Sequence, residues 1–101
     1  MPVTVTDKGG VVTASLIGEI DHHGARRMME DLEEVIAERV PRELTLNLSG
    51  VTFMDSSGIA VLLRAHRHMR QLGGTMRVTA IPVQPRRVLD AAGMGRIITM
   101  E

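Results

Sequence analysis

The feature that most constrains the fold of this chain is the spacing of its apolar residues, which changes repeatedly along the sequence. Leu44, Leu46 and Leu48 alternate with polar residues, as in a strand with one buried face. From about residue 57 to residue 72 the apolar residues recur at helical spacing instead. Strands separated by helices favour parallel pairing, because the chain must cross back over the sheet between them.

Applied to the whole chain, this spacing predicts the element order β-β-α-β-α-β-α-β within one domain, residues 1–101. The first two strands form a hairpin around the turn-forming run Asp7-Lys8-Gly9-Gly10. Pro41 ends the first helix, and Gly73-Gly74 ends the second. Ser49-Gly50 is expected to break the third strand. The remaining strands are predicted at 76–81 and 96–100, and a third helix near Pro85.

Charge and residue types exclude several classes of function. Lys plus Arg equals Asp plus Glu at 12 each, so no long-range field would gather nucleic acid or an anionic membrane. There is no cysteine for disulfides or thiolate chemistry, and Phe53 is the only aromatic residue on which a base could stack. No apolar run could span a bilayer, and the N-terminus lacks a signal-peptide pattern. We therefore expect a cytoplasmic protein that binds neither nucleic acid nor membranes directly.

Residues 53–59 read Phe-Met-Asp-Ser-Ser-Gly-Ile and join a strand to a helix. In the simplest interpretation one serine caps the helix. In the second, a serine accepts a phosphate, which adds a charge of about −1.5 to −2 and would meet unpaired N–H groups there. The phosphate would then repel a partner rather than unfold the domain. Gly58 is expected to keep the hydroxyl of Ser57 accessible, since it has no side chain.

A third interpretation makes Ser57 a nucleophile. The pattern Gly-x-Ser-x-Gly is absent, because Phe53 and Met54 precede the acid. A serine also needs a base, and the sequence brings none of its histidines, at positions 22, 23, 66 and 68, to Ser57. Hydrolysis is therefore the weakest of the three interpretations.

Several strings carry a resemblance to a known family, in order and over nearly the whole chain: GEIDHH at 18–23, FMDSSG at 53–58, and the runs at 73–74, 87–89 and 92–94. They resemble the bacterial anti-sigma factor antagonists of the STAS superfamily. Residues 18–23 read GEIDHH and are similar to the "GELDHH" stretch of that family. Residues 53–58 are similar to its phosphorylation loop, and the runs at 73–74, 87–89 and 92–94 match as well. The double histidine makes the resemblance greatest to the sporulation type (SpoIIAA-like).

This resemblance implies a STAS fold: a small, mostly parallel sheet with an N-terminal hairpin and three helices mainly on one face. It implies no enzymatic activity and no cofactor. The unphosphorylated antagonist would bind an anti-sigma factor that is also a serine kinase, and would thereby release the sigma factor. Phosphorylation of Ser57 by that kinase, which carries the ATP and Mg²⁺, would end the inhibition. A separate serine phosphatase would reset the cycle.

The same resemblance and the position of each residue suggest a partner surface. Asp21 is placed to cap the first helix, and the histidines after it are expected near the partner. Adjacent histidines point in different directions and lack further ligands, so no metal site is predicted. The expected partner-binding residues are Asp21, His22, His23, Met54, Asp55, Ser56, Ser57, Gly58 and Ile59.

Two alternatives stay open at this point. Arg64, Arg67 and Arg70 form a strip on the second helix that is either a solvated face or a contact for an acidic partner. The whole chain could also be a STAS scaffold or sensor module of a signalling assembly, binding proteins or a small ligand without a phosphorylation cycle.

Overall fold

The computed structural model describes residues 2–101 and contains the predicted alternation of strands and helices. A short 3₁₀ turn at Met94–Arg96 precedes the last strand. The strands are β1 (Val3–Lys8), β2 (Val11–Ile20), β3 (Glu43–Met54), β4 (Thr75–Thr79) and β5 (Thr99–Met100), and the helices are α1 (Ala25–Arg39), α2 (Ser56–Gln71) and α3 (Val83–Ala91).

The five strands form one sheet in the order β1-β2-β3-β4-β5, so each strand lies beside its neighbour in sequence. β1 and β2 are antiparallel and form the predicted hairpin, while the other three pairings are parallel. Successive parallel crossovers that run in one direction along a sheet place their helices on the same face, because such crossovers are right-handed. The predicted α/β fold class is confirmed.

The core lies between the sheet and the three helices. Alternate residues of β2 and β3 are fully buried, and each helix adds an apolar stripe to the same cluster. The buried members of α1 are Ala25, Met28, Leu32 and Ile36, and those of α2 include Val61, Leu62, Ala65 and Met69. Val40 adopts a left-handed conformation directly after α1, and Pro41 follows it, so the helix ends where the sequence predicted.

Two strand predictions were wrong. Ser49-Gly50 does not end β3, which continues to Met54 by bulging. Between Ser15 and Ile17 the pairing of β2 with β3 takes up one extra β3 residue, and the side chain of Asn47 accepts a hydrogen bond from the Ser49 N–H at 2.9 Å. The last strand is only Thr99–Met100, because the residues before it form the 3₁₀ turn. The extended β3 is what carries the chain to the start of α2.

Within residues 2–101, no helix combines the length and the apolar character that crossing a bilayer requires.

Candidate functional site

The two segments that the sequence singled out lie together at one edge of the sheet. β2 and β3 are parallel, so their carboxyl ends meet, and Ile20 pairs with Met54 at the last position of both strands. The backbone N–H of Asp55 then donates to the carbonyl of Ile20 at 3.2 Å. We call residues 54–58 the helix-start loop and residues 21–24 the histidine turn. The sheet brings them side by side although 30 or more residues separate them in sequence.

Asp55, and not a serine, caps α2. Its backbone is extended, and its Oδ1 accepts a hydrogen bond from the Ser57 N–H at 2.7 Å. The carbonyl of Asp55 accepts a second bond, from the Gly58 N–H at 3.0 Å. The prediction that a serine caps this helix was therefore wrong. The expectation that a phosphate would meet unpaired N–H groups also changes, because Asp55 already occupies those of Ser57 and Gly58.

Met54 and Gly58 serve the interior of the domain. The side chain of Met54 is fully buried. Gly58 is buried directly above it, and a Cβ on Gly58 would collide with the Met54 Cγ and lie 2.8 Å from its Sδ. The interpretation of Met54 as an adaptable partner contact is thus wrong, and so is that of Gly58 as a residue that opens access to Ser57. Glycine is needed here because the helix start rests on a methionine.

The remaining residues of the motif differ in exposure. Ser56, the first residue of α2, is exposed, whereas Ser57 is half-buried. Ile59 is also half-buried and packs against the core. The outer surface of the helix-start loop therefore consists mainly of the two serines and the cap residue Asp55.

Asp21 folds the histidine turn rather than capping α1. Its Oδ1 accepts hydrogen bonds from the backbone N–H groups of His23 at 3.0 Å and Gly24 at 2.8 Å. α1 begins only at Ala25, with Gly24 as an N-cap that has no side-chain bond. The N–H of Gly24, helped by that of His23, holds the pKa of Asp21 below its ordinary value. The predicted cap is thus replaced by a turn in which the same carboxylate accepts two N–H groups.

His22 and His23 are exposed at the tip of this turn. Their rings face each other with centroids 3.9 Å apart and planes inclined by 40°. Among residues 2–101 there is no group of three or more side chains that could hold a metal ion. Both imidazoles are therefore accessible at the surface, in the turn that lies beside the helix-start loop.

The arginine strip of α2 is only partly free of the rest of the domain. Arg64 pairs with Glu33 of α1, which ties the two helices together. Arg67 and Arg70 are exposed. Arg64 thus has a structural partner within the domain.

Sequence reasoning missed Gln84, at the start of α3. Its side-chain Oε1 accepts from the Met54 N–H at 2.8 Å, and its Nε2 donates to the Met54 carbonyl at 2.7 Å. No periodic pattern links positions 30 residues apart, so only the folded chain reveals this contact. The sequence also showed no sign that Phe53, directly before the helix-start loop, leaves 41% of its surface exposed.

A family model described as the STAS domain matches residues 2–101. The chain therefore belongs to the STAS domain family, as its sheet order and helix placement suggest.

Within this family the chain is similar to anti-sigma factor antagonists, as the resemblance in sequence predicted. The anti-sigma F factor antagonist of Paenibacillus polymyxa is 35% identical over 89 residues, which cover 88% of this chain and 76% of that protein. The crystal structure of an anti-sigma factor antagonist from Mycobacterium paratuberculosis is 28% identical with a TM-score of 0.86, covering 97% of this chain and 82% of the other.

The antagonist SpoIIAA has the same fold. Its unphosphorylated form is 22% identical with a TM-score of 0.79, covering 98% of this chain and 87% of that one. SpoIIAA has also been solved in a phosphorylated form, which matches at 22% identity with a TM-score of 0.71 over 98% of this chain and 90% of that one. SpoIIAA therefore keeps this fold in both its unphosphorylated and its phosphorylated form.

Proposed function

We propose that this chain is a single-domain anti-sigma factor antagonist that is switched by phosphorylation of Ser57. In its unmodified form it binds an anti-sigma factor that is also a serine kinase, and the sigma factor is released. The kinase, which supplies ATP and Mg²⁺, phosphorylates Ser57 and the complex then dissociates. A serine phosphatase restores the first state. The chain acts in the cytoplasm as a regulator and catalyses no reaction itself.

The observation that carries this proposal is the union of the two segments at one sheet edge. The backbone bond from Asp55 to Ile20 holds the helix-start loop against the histidine turn. Exposed Ser56, half-buried Ser57 and the exposed histidines thus share one surface, within reach of a single partner. The similarity to named antagonists supports the same assignment.

The partner surface that we propose is smaller than the sequence suggested. Met54 and Gly58 act from inside, by fixing the loop, and Ile59 contributes only the part of its side chain that the core leaves uncovered. The contacting residues are then Asp21, His22, His23, Asp55, Ser56 and Ser57. A charge placed at the centre of this surface would face the partner directly.

Phosphorylation is tested by incubating the chain with a candidate cognate anti-sigma factor of the kinase type, together with Mg²⁺ and ATP. We expect one phosphate, located on Ser57 by mass spectrometry of peptides. Ser56 provides the matched control, since it lies one residue away in the same helix turn. Ser57→Ala should abolish the modification and Ser56→Ala should leave it. Modification of Ser56 instead would move the switch by one residue and contradict the assignment.

Binding is tested with variants of Ser57. Ser57→Ala should keep the affinity for the anti-sigma factor, while Ser57→Asp should weaken it by at least about tenfold through repulsion at the interface, with little change in the melting temperature. Gln71→Glu, at the exposed far end of the same helix and outside the proposed surface, is the control for an added charge and should leave the affinity unchanged. If Ser57→Asp unfolds the domain, repulsion of the partner is not the mechanism. A large symmetric assembly that binds no kinase would favour the scaffold alternative.

A further inference from the structure

β3 extends well beyond β4, the strand that pairs with it on one side. The pairing of β3 with β4 runs from Glu43 and Thr75 to Asn47 and Thr79 and then stops. On its other side, β3 remains paired with β2 as far as Met54. The last part of β3 therefore has one edge without a neighbouring strand, and this edge leads directly into the helix-start loop.

The side chain of Gln84 occupies that open edge at its final position. Its carbonyl oxygen accepts from the Met54 N–H at 2.8 Å, and its amide nitrogen donates to the Met54 carbonyl at 2.7 Å. A side-chain amide has the same donor and acceptor pair as a peptide unit, so it can replace one residue of a missing strand. Only one orientation of the amide satisfies both bonds. In the flipped orientation the Gln84 NH₂ group would face the Met54 N–H, and the Gln84 oxygen would face the Met54 carbonyl oxygen.

Met54 is the first residue of the helix-start loop, and it supports the rest of the loop. Its backbone is followed at once by the cap Asp55, and its side chain supports Gly58 from below. Fixing both polar groups of its backbone therefore fixes where α2 begins and how the first turn faces the partner. On the opposite side, the Asp55 N–H is held by Ile20.

We propose that Gln84 is the positioning residue of the proposed switch: it holds the helix-start loop in the orientation in which Ser57 is recognised and phosphorylated. This inference rests on the proposed function for its biological meaning. The contact itself also makes α3 part of the site, although α3 contributes none of the residues that the partner is expected to touch.

The first test measures amide hydrogen exchange in the isolated chain, which requires no partner. Gln84→Met keeps the length of the side chain and removes both hydrogen bonds. We expect exchange of the Met54 N–H to become about tenfold faster, the effect of one lost hydrogen bond on local opening. The amides of Asp55 and Ser57 should follow, while those of α1 stay unchanged. Gln71→Met, at the exposed end of α2, is the matched control.

The second test measures phosphorylation kinetics with the kinase-type anti-sigma factor described above. At a temperature where both variants are folded, kcat/KM for Ser57 should fall about tenfold in Gln84→Met and stay at the wild-type value in Gln71→Met. A role confined to stability would lower the melting temperature without changing this rate. If the wild-type chain accepts no phosphate, the proposed function fails, but the exchange experiment still decides the role of Gln84.

A third variant tests the hydrogen bonds themselves by rescue. In Gln84→Glu the ionised carboxylate can accept from the Met54 N–H but faces its carbonyl with a second acceptor. The protonated acid restores one donor and one acceptor. Protection of the Met54 amide, expressed as a ratio to the wild-type value at the same pH, should therefore rise towards one as the pH falls below the glutamic acid pKa, ordinarily about 4.3.

This variant also decides the question if Gln84→Met fails to fold. Recovery of protection in acid would support the positioning role. The inference is overturned if the ratio of Met54 amide protection between Gln84→Glu and the wild type stays the same at every pH, or if Gln84→Met leaves the exchange of Met54, Asp55 and Ser57 as in the wild type.

Discussion

The helix-start loop and the histidine turn lie side by side at the same sheet edge, and each is organised by an aspartate, yet they are held very differently. Asp55 caps a helix directly, and the residues around it are tied to the core by Met54 and to α3 by Gln84. Asp21 closes a turn of its own, and α1 starts only after that turn without a side-chain cap. The first segment is anchored to the core and to α3, whereas the second is held within its own turn, by the N–H groups of His23 and Gly24 on the Asp21 carboxylate and by the Ala25 N–H on the Asp21 carbonyl.

This difference suggests a division of labour. A serine that a kinase must recognise needs a defined backbone, because the reacting hydroxyl has to lie at one place relative to the phosphate donor. On the proposed function, His22 and His23 would only contact the partner, and exposed side chains in that role can tolerate more local motion. The comparison therefore predicts that substitutions in the helix-start loop affect stability more than substitutions in the histidine turn.

The largest effect is expected from Gly58→Ala. The new methyl group would collide with Met54, and overpacking of this kind costs about 1–3 kcal/mol. Alanine recovers up to about 1 kcal/mol through its higher helix propensity. We expect a net loss of about 1–2 kcal/mol, seen in urea denaturation. Gly95→Ala is the control, since its Cβ would meet only the Met100 methyl group at an ordinary 3.5 Å. Equal stability of both variants would show that Met54 can move away freely.

A smaller effect is expected from Asp55→Ala. Loss of an N-cap side chain typically costs about 1 kcal/mol, because the Ser57 N–H loses its acceptor. Asp55→Asn keeps an acceptor and should restore most of the stability. Ser56→Ala, at the exposed position next to it, should change the melting temperature very little. If Ser56→Ala destabilised the domain more than Asp55→Ala did, the serine would be the true cap.

The smallest effect is expected at Asp21, and it should depend on pH. The pKa of Asp21 is lowered in the folded state, so the stability it provides is present above the unfolded-state pKa of about 3.9 and is lost as the pH falls through the lower folded value. The difference in melting temperature between wild type and Asp21→Ala should therefore persist down to the unfolded-state pKa and shrink in strong acid. A difference that grew in acid would contradict the two N–H bonds seen at this carboxylate.

Much of the fold could be predicted because it depends on repeating patterns. The alternation at Leu44, Leu46 and Leu48 and the helical stripes define the strands and helices without knowledge of contacts. The end of β3 could not be predicted, because Ser49 and Gly50 favour a turn locally and only pairing with β2 converts them into a bulge. The short β5 was missed for a similar reason, since β propensity does not reveal a 3₁₀ turn.

The candidate site shows the same limit more sharply. The sequence motif located the junction of strand and helix, but it did not show which residue caps the helix or which side chains point inward. Asp55 replaced the serine as cap because α2 begins at Ser56, and Met54 proved to be buried at the end of β3. Gln84 left no local signal at all, since its partner is the backbone of a distant residue.

Because Asp55 caps α2, the proposed switch adds charge to a loop that is already negative. The helix-start loop carries one negative charge before modification, and a phosphate on Ser57 would raise the total to about −3 without changing its sign. Beyond the Debye length of about 8 Å at physiological ionic strength, salt largely hides such a difference. A partner would therefore distinguish the two forms only at contact, so the modification should shorten the lifetime of the complex far more than it slows the first encounter.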